Sequence, residues 1–369
     1  MRILLIHNEA NYFAGAERML GYFLPGLQAR GCQVMVACVD SSRVAALVPA
    51  GMQRLVISDN QRFSPMRLWS QARSVLGVRK SFPFEIVHGW AARDWELTAL
   101  TARLGARPAL GTLHDHPRAS FISRQRRILM RWSLRLGLRR VVCVSDAVHQ
   151  ACVSAGYPAE DLTVVRNGLP LGVDRAERGR NDVFRIGYLG AISERKGLRD
   201  LFRALDELAK LTPLPWALEV AGEPLDEDGR HYLAGIQRDF NQRPWWMQVR
   251  WLGWIEQSGA FLRSIDLLVC PSAEFDPFPT VLLEAGDAGT AVLAARVGGV
   301  EEIVVEGSTG WLFSPGEPTQ ASHCLAGLLA EPALARAAGE KGRHRTRSEF
   351  SMTRMAADYL RVYSELLKT

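Results

Sequence analysis

Short apolar runs alternate with amphipathic stretches along nearly the whole chain. Each run has the length of a strand and is followed by apolar residues at helical spacing. The first half contains predicted strands at residues 3–7, 33–38, 86–88, 109–114, 141–145 and 162–165. The second half contains predicted strands at residues 185–189, 217–221, 249–251, 267–270, 291–294 and 309–313. Continuous apolar strands separated by helices predict parallel sheets with helices on both faces, in two successive α/β units.

A polar segment separates the two units. Asn167-Gly168-Leu169-Pro170 has the chemistry of a turn, and the residues from there to Asp182 are charged and poor in apolar side chains. We therefore expect an interdomain linker here, with residues 1–178 in the first domain and residues 179–350 in the second. The last segment, 351–367, places apolar side chains at helical spacing, so it needs an apolar groove, which either domain could provide.

The composition is that of a folded protein with more than one domain. With 369 residues, of which 47% are hydrophobic, the chain can form two cores, which excludes disorder, collagen and a coiled coil. No apolar run reaches the length of a membrane span, and the first residues predict a strand rather than a signal peptide. The 6 cysteines lack the spacing of metal ligands, which favours free thiols in a reducing compartment. These features predict a cytoplasmic protein.

Positive charge is concentrated in the first half. Residues 1–180 carry 25 basic and 13 acidic side chains, whereas the remainder carries 20 and 26. Eight arginines lie between Arg118 and Arg140, with no acidic residue among them. On a helical projection one stripe consists of Arg124, Arg127, Arg131 and Arg135, and its neighbour of Phe121, Ile128, Leu129, Trp132 and Leu136. This pattern is typical of a basic amphipathic helix.

Two interpretations of the basic helix stay open. It could dock to an anionic membrane surface or to a pyrophosphate-linked lipid acceptor, with each arginine contributing on the order of 1 kcal/mol. It could equally be an ordinary domain helix whose apolar stripe is buried against the sheet while its arginines face water. Nucleic-acid binding is not indicated, because the aromatic residues do not interleave with the basic residues as a stacking platform requires.

Several segments that follow predicted strands have the chemistry of an anion site. Gly15 precedes an apolar helix, and there a glycine lets the backbone approach a ligand while the helix N-terminus favours negative charge. Gly190 ends a strand and is followed by Arg195 and Lys196, two cations in a loop that leads to a helix. His114 ends another strand beside an aspartate and a second histidine. Such a histidine either binds or protonates a substrate, or has a structural role.

The segment 271–285 carries the most specific pattern. A proline stands just before an apolar helix, so the amides of Thr280 and Val281 would lie at a free helix N-terminus. Glu284 follows one turn later, and Asp276 precedes the helix in the loop. Together these residues would offer amides to a diphosphate and two carboxylates to sugar hydroxyls. Because open α/β sheets usually bind ligands at the carboxyl ends of their strands, we expect the site in a cleft between the domains.

Taken in order, these segments resemble the large retaining group 4 family of glycosyltransferases with the GT-B fold. The matching pieces are Gly15-Ala16-Glu17-Arg18, His114-Asp115, Val144-Ser145, Asn167-Gly168, Gly190 with Lys196-Gly197, the acid-x7-Glu element from Asp276 to Glu284, and Val297-Gly298-Gly299-Val300-Glu301-Glu302. They extend over nearly the whole chain. The resemblance implies two Rossmann-like, doubly wound domains that face a central cleft, with residues 351–369 crossing back as a helix to the N-terminal domain.

The resemblance also implies roles for individual residues. The N-terminal domain would hold the acceptor, and the C-terminal domain would hold a nucleotide-sugar donor. The residues expected at the reacting centre are His114, Lys196 and Asp276. The residues expected to bind the donor are Gly15, Gly190, Arg195, Lys196, Trp254, Phe278, Thr280, Val281 and Glu284. Within this set Lys196 would neutralise the diphosphate, Glu284 would bind the ribose, and Trp254 falls where the family builds its base pocket.

Three positions depart from the family pattern. Ala191 follows the glycine of the phosphate loop where the family usually has arginine, so that phosphate contact is either missing or made by Arg195. Asp276 stands for the usual glutamate, which bears on the choice of donor. The first glycine of the usual early pair is Ala14.

The expected activity is transfer of a hexose-type sugar from a UDP- or GDP-sugar to a glycan or glycolipid acceptor, with retention of anomeric configuration. Fixed cations and helix amides would stabilise the charge that develops on the leaving diphosphate, so neither a metal nor a cofactor is expected. The acidic triplet Asp226-Glu227-Asp228 lies in a charged loop and is interpreted as solvated surface. We expect a role in cell-surface polysaccharide or lipopolysaccharide synthesis, in the cytoplasm or peripherally at the inner face of the cell membrane.

Two alternatives belong to other functional classes. The departures at Ala191 and Asp276 would also fit a catalytically silent subunit that binds a nucleotide sugar or a glycan. A nucleotide-sugar epimerase on the same scaffold would need acid and base residues around the sugar, for which His114 and His116 are the obvious candidates.

Overall fold

The computed structural model describes residues 1–9, 14–40, 42–58, 63–172 and 183–368. The chain divides into two compact units, Met1–Pro170 with Ser351–Thr369, and Leu171–Phe350. The predicted boundary at residues 178 and 179, and the charged part of the predicted linker, lie outside the described residues. Each unit is a parallel sheet covered by helices, which confirms the α/β prediction.

The first unit is built on a parallel sheet with β1 near its centre. Its strands are β1 (Arg2–His7), β2 (Gln33–Cys38), β3 (Gln53–Val56), β4 (Ile86–Gly89), β5 (Ala109–Leu113), β6 (Arg140–Cys143) and β7 (Leu162–Val164). Its helices are α1 (Gly15–Gln28), α2 (Arg43–Leu47), α3 (Pro65–Gly77), α4 (Trp95–Gly105), α5 (Arg124–Leu136) and α6 (Asp146–Ser154). The described strands follow the order β3-β2-β1-β4-β5-β6-β7. The order reverses between β1 and β4, and doubly wound sheets bind ligands at such a point.

Strand β3 was not predicted from the sequence. Its four residues, Gln-Arg-Leu-Val, are all at least partly exposed, because in the described sheet β3 lies at the edge and pairs with β2 alone. In contrast, residues 3–6 of β1 are completely buried. Strand prediction relied on continuous apolar runs, and an exposed edge strand has no such run.

The second unit is also a parallel sheet with helices between its strands. Its strands are β8 (Phe184–Leu189), β9 (Trp216–Ala221), β10 (Val249–Gly253), β11 (Leu267–Cys270), β12 (Ala291–Ala295) and β13 (Gly310–Phe313). Its helices are α7 (Leu198–Leu211), α8 (Glu227–Phe240), α9 (Ser258–Ser264), α10 (Thr280–Ala288), α11 (Val300–Ile303), α12 (Pro318–Ala330) and α13 (Pro332–Glu349). The described strands are parallel in the order β10-β9-β8-β11-β12-β13. The order reverses between β8 and β11, so the loops after these strands are neighbours.

The terminal helix α14 (Met352–Lys368) returns to the first unit and packs beside α1. Its predicted apolar positions are all buried, and two of them carry hydroxyls into the core. Nδ1 of His88 lies 2.8 Å from the Tyr363 hydroxyl, and its Nε2 lies 2.8 Å from the Thr112 hydroxyl. The Thr112 hydroxyl in turn lies 3.0 Å from that of Tyr359. This buried network ties α14 to β4 and β5.

Replacing Tyr363 by phenylalanine should lower the free energy of unfolding of the first unit by about 1–3 kcal/mol, because a buried imidazole nitrogen loses its partner. Urea unfolding measures the loss, and faster hydrogen exchange in α14 peptides localises it. Tyr157→Phe is the control, since Tyr157 is also buried but its hydroxyl makes no hydrogen bond to any described residue. Equal losses in the two variants would contradict the role of the network.

Two further features concern cysteines and membranes. Within the described ranges every cysteine is a free thiol, and all but Cys324 are buried. No helix in the described part of the chain combines the length and the apolar content needed to cross a bilayer.

Candidate functional site

Two loops at the carboxyl ends of neighbouring strands are locked together in the second unit. The carbonyl oxygen of Arg195, in the loop after β8, accepts a hydrogen bond of 3.0 Å from the amide of Ala273, in the loop after β11. Gly197 lies between the loops with φ at +68°, and a Cβ added there would stand 1.8 Å from the carbonyl oxygen of Pro271. Glycine is therefore required for the loops to approach this closely.

This packing brings together Lys196 and Asp276. Nζ of Lys196 lies 2.6 Å from Oδ2 of Asp276, and the Ser272 hydroxyl donates to the same oxygen at 3.2 Å. Burial by itself would raise the pKa of Asp276, but the charge of Lys196, helped by Arg195 and Ser272, outweighs burial and lowers it. The Asp276 side chain is 6% exposed and that of Lys196 is 22% exposed. The ion pair is therefore largely buried, while the ammonium keeps some access to solvent.

Helix α10 begins shortly after Asp276. Thr280 and Val281 form its first turn, where the amides have no preceding helical turn to supply acceptors. Both residues are half-buried, as is Glu284 one turn further along the helix. Two adjoining loops and the start of α10 thus supply a cation, a helix N-terminus and a carboxylate, an arrangement that suits an anion bearing hydroxyl groups.

The two aromatic residues predicted to bind the donor lie in different environments. Phe278 is 4% exposed, and its ring packs edge-on against that of Phe350 with centroids 5.7 Å apart. Its side chain therefore belongs to the core of the second unit. Trp254 follows β10 and is 49% exposed, and its amide donates to Oε1 of Glu223 at 3.1 Å. Of the two rings, that of Trp254 is accessible for stacking on a planar ligand.

Two contacts fix the loop after β8, which the sequence predicts to bind phosphate. The hydroxyl of Tyr188 donates to the carbonyl oxygen of Ala191 at 2.8 Å. The carbonyl oxygen of Gly190 is approached so closely by Gly222 that a Cβ at Gly222 would lie 1.9 Å from it. Position 191 has only a methyl side chain. The guanidinium of Arg195, in the same loop, helps Lys196 to lower the pKa of Asp276.

His114 and Gly15 lie at strand ends of the first unit. His114 follows β5, and its Nε2–H donates to the Trp90 carbonyl oxygen at 3.0 Å. Burial lowers the pKa of His114 to about 4, although the carboxylate of Glu17 acts in the opposite direction. The ring is therefore neutral near pH 7. Gly15 begins α1, and a Cβ added to it would meet no described atom within 4 Å.

A buried charged cluster at this edge of the first sheet was missed by sequence reasoning. His7 is the last residue of β1 and is completely buried. Its Nδ1 lies 3.0 Å from Oδ2 of Asp94, and its Nε2 lies 3.3 Å from Oε1 of Glu17. Burial alone would lower the pKa of His7, but the two carboxylates together raise it to about 9. Only the position of His7 at the end of a central strand could have indicated the cluster.

Much of the predicted apolar stripe is exposed on α5 and in the turn before it, where Phe121 lies. The exposed fractions of Phe121, Ile128 and Trp132 are 64%, 60% and 43%. The buried residues of the helix are instead Met130 and Ser133. The interpretation that the apolar stripe packs against the sheet is therefore wrong for these three side chains.

The predicted arginine stripe on α5 is mostly solvent-facing. Its members are Arg124, Arg131 and Arg135, which are exposed, and Arg127, which is half-buried. Arg131 also donates to the carbonyl oxygen of Ala155. The helix is held to α4 by a residue outside the stripe, since Arg126 pairs with the buried carboxylate of Glu96 at 2.8 Å.

The acidic triplet of the second unit lies at the N-terminus of α8. Asp226 caps α8 by accepting a hydrogen bond of 2.8 Å from the amide of Gly229. Glu227 pairs with Arg230 on the exposed first turn at 2.5 Å. These contacts agree with the interpretation of the triplet as surface.

Two family models match consecutive parts of the chain. Residues 13–172 match the model described as Glycosyltransferase Family 4. Residues 173–345 match the model described as Glycosyl transferases group 1. The two matches together include most of both units.

Similar proteins are found in several bacteria. The chain is 27% identical over 310 residues to glycogen synthase of Mycobacterium tuberculosis, covering 78% of this chain and 70% of that protein. It is 23% identical over 356 residues to the lipopolysaccharide core biosynthesis glycosyltransferase LpsE of Rhizobium meliloti, covering 94% and 95%. The structure of HepE from Anabaena in complex with UDP-glucose has a TM-score of 0.83 at 19% identity, covering 99% of this chain and 100% of that one. This last likeness is one of fold.

Proposed function

Since this chain belongs to the group 1 glycosyltransferases of family 4 and has their GT-B fold, we propose that it moves a hexose-type sugar from a UDP- or GDP-sugar to a glycan or glycolipid acceptor. The anomeric configuration of the sugar is retained. The single observation that carries the proposal is the ion pair of Lys196 and Asp276, which adjoins the N-terminus of α10. A diphosphate needs such a combination of one accessible cation and free amides.

Each group has a defined part in the proposed reaction. An acceptor hydroxyl oxygen bonds to the anomeric carbon as the bond from that carbon to the diphosphate breaks, and negative charge grows on the leaving phosphate oxygens, which take up the hydroxyl proton. Lys196 and the amides of Thr280 and Val281 stabilise that charge more than they stabilise the bound donor. Glu284 accepts hydrogen bonds from the ribose, and Trp254 stacks on the base. Since protein groups supply the positive charge, the reaction is proposed to need no metal.

The proposed setting is synthesis of a cell-surface polysaccharide or lipopolysaccharide on the cytoplasmic side of the membrane. It is supported by the likeness to LpsE, which is named for lipopolysaccharide core biosynthesis and matches 94% of this chain. Glycogen synthase of Mycobacterium tuberculosis, which also builds a polysaccharide by its name, supports the broader class.

The proposed function is tested with a panel of UDP- and GDP-sugars. The cognate donor should raise the melting temperature, because ligand binding stabilises the folded state. With an acceptor, NMR of the product should show the anomeric configuration of the donor, in buffer containing EDTA as in buffer without it. Binding without transfer or donor hydrolysis would favour the silent subunit. Conversion of the donor sugar into its epimer would favour the epimerase, and no binding by any donor would refute the proposal.

We further propose that α5 docks the first unit to an anionic membrane surface. Two large apolar side chains and three arginines of this helix face solvent, as does Phe121 in the turn just before it, and a water-exposed stripe of this kind suits the boundary between headgroups and acyl chains. Such docking would bring the enzyme to a lipid-linked acceptor.

Replacing Arg124 and Arg135 by glutamine should weaken binding to vesicles of phosphatidylglycerol and phosphatidylcholine about 30-fold, at about 1 kcal/mol per arginine. Co-sedimentation with these vesicles measures the effect, and the triple replacement of Phe121, Ile128 and Trp132 by serine should abolish binding. Lys210→Gln with Arg238→Gln is the matched control, because it removes the same charge from exposed positions of the second unit. Equal weakening by the control would refute docking through α5.

A further inference from the structure

Glu223 lies where three loops of the second unit meet. It follows β9, the strand between β8 and β10, so its neighbours are the loops after those two strands. Its carbonyl oxygen accepts a hydrogen bond of 3.0 Å from the amide of Ile192, after β8. Its side-chain Oε1 accepts a hydrogen bond of 3.1 Å from the amide of Trp254, after β10. The main chain of Glu223 is therefore tied to one loop, and its carboxylate is held beside the other.

The carboxylate of Glu223 is exposed and pairs with no cation of the described chain. A carboxylate can accept about four hydrogen bonds, and the Trp254 amide supplies one of them. Gly253 lies beside it with φ at +65°, and a Cβ added there would stand 3.3 Å from Oε1, so glycine leaves the carboxylate room. Lone pairs on both oxygens are thus open to donors from a ligand.

A nucleotide that binds Lys196 through its diphosphate would reach Glu223 with its base. Neighbouring strands lie about 4.8 Å apart, so the loop after β10 is about 10 Å from the loop after β8 that carries Lys196. A nucleoside diphosphate spans a comparable length, with its ribose in between. The exposed ring of Trp254 offers a stacking surface at that distance. A base stacked there would have its edge beside the carboxylate of Glu223.

The hydrogen-bonding groups on each base decide which base suits a fixed carboxylate. Guanine has two adjacent donors, N1–H and the N2 amino group, which match the two oxygens of a carboxylate in a bidentate pair. Uracil offers one N–H between two carbonyl oxygens, and a carboxylate repels those oxygens. Adenine and cytosine place a ring acceptor beside their amino group. A carboxylate at this position therefore favours guanine over the other three bases.

We propose that Glu223 determines the nucleotide of the donor: it accepts hydrogen bonds from N1–H and the N2 amino group of guanine, so the enzyme uses a GDP-sugar rather than a UDP-sugar. The inference rests on the proposed function for the presence of a nucleotide sugar, and goes beyond it in choosing the base. Lys196 and the start of α10 would bind the diphosphate, which is the same in every nucleotide.

Calorimetric titration of the full chain with GDP, inosine diphosphate and UDP tests the choice of base. Inosine keeps N1–H but lacks the N2 amino group, so inosine diphosphate should bind about 10-fold more weakly than GDP, the cost of one hydrogen bond to a charged group. UDP loses both hydrogen bonds of the pair and should bind about 100-fold more weakly than GDP. These comparisons use the unmodified chain and need no variant.

Glu223→Gln separates recognition of the base from the structure of the loop, because the glutamine oxygen can still accept from the Trp254 amide. Its affinity for GDP should fall about 10-fold or more. Its affinity for UDP should stay the same or rise, since the glutamine N–H can donate to a carbonyl of uracil. Glu256→Gln is the matched control: it removes an exposed carboxylate two residues after Trp254 and should leave all three affinities unchanged.

UDP binding as tightly as GDP to the unmodified chain would overturn the inference, as would an equal loss of affinity for GDP and UDP in Glu223→Gln. Either result leaves the proposed function standing, because a nucleotide still binds. Lys196→Ala should weaken all three nucleotides alike, since it acts on the diphosphate that they share. If none of the three binds, the proposed function is refuted and the inference falls with it.

Discussion

Replacing Lys196 by alanine should reduce kcat/KM for the donor sugar by about 10²–10³-fold, the usual cost of removing one group that stabilises developing charge. The reduction should exceed the loss in affinity for the donor, because the charge on the leaving diphosphate is larger in the transition state. Steady-state kinetics with the cognate donor, together with calorimetric titration of UDP or GDP, separate the two effects.

The position of Lys196 in a buried ion pair requires a second variant. Removing the lysine leaves Asp276 buried without its cation, and breaking such a pair costs about 3–5 kcal/mol of stability. Lys196→Ala combined with Asp276→Asn removes the buried charge and should restore folding without restoring activity. Lys210→Ala, an exposed lysine paired with Glu207, is the matched control and should be fully active. An active double variant would show that Lys196 does not act on the diphosphate.

The fold could be predicted where strands are buried on both faces. The runs at 33–38 and 267–270 coincide with β2 and β11, because a strand covered by helices must be apolar where it is buried, which in β2 is every residue after Gln33. The run at 109–114 extends one residue too far, since β5 ends at Leu113 and His114 begins the loop. The exposed strand β3 could not be found in this way. The apolar pattern therefore identifies strands that are buried, and it misses a strand that is exposed.

The sequence gives the candidate site as a set of residues, whose roles stay predictions, and it does not give their contacts. Lys196 and Asp276 were assigned to different parts of a donor, whereas the structure pairs them across 80 positions of sequence. His7 and Asp94 are 87 positions apart, and no periodic pattern relates them. The helical projection placed Phe121 on the same helix as the arginines, whereas α5 begins at Arg124. It could not show which face is buried, because that is decided by the contact of Arg126 with Glu96 on another helix.

Gly197→Ala should be far more damaging than Gly307→Ala, although both glycines have φ at +68°. At Gly307 an added Cβ meets no atom of the described chain within 4 Å, so alanine bears only the cost of the left-handed backbone, about 1–2 kcal/mol. At Gly197 the added Cβ would lie 1.8 Å from the Pro271 carbonyl oxygen and 3.1 Å from the amide nitrogen of Ala273. These are backbone atoms, which no change of side-chain rotamer can move away.

The two loops must therefore separate in Gly197→Ala, which breaks the hydrogen bond from Ala273 to Arg195 and withdraws Lys196 from Asp276. We expect a loss of roughly 4 kcal/mol or more in the second unit, in the range seen when a clash cannot relax. Urea unfolding of Gly197→Ala and Gly307→Ala measures the difference, with the shared backbone strain cancelling between them. Affinity for UDP or GDP should fall in Gly197→Ala alone. Equal stability and affinity in the two variants would mean that close packing of these loops is not what assembles the proposed diphosphate site.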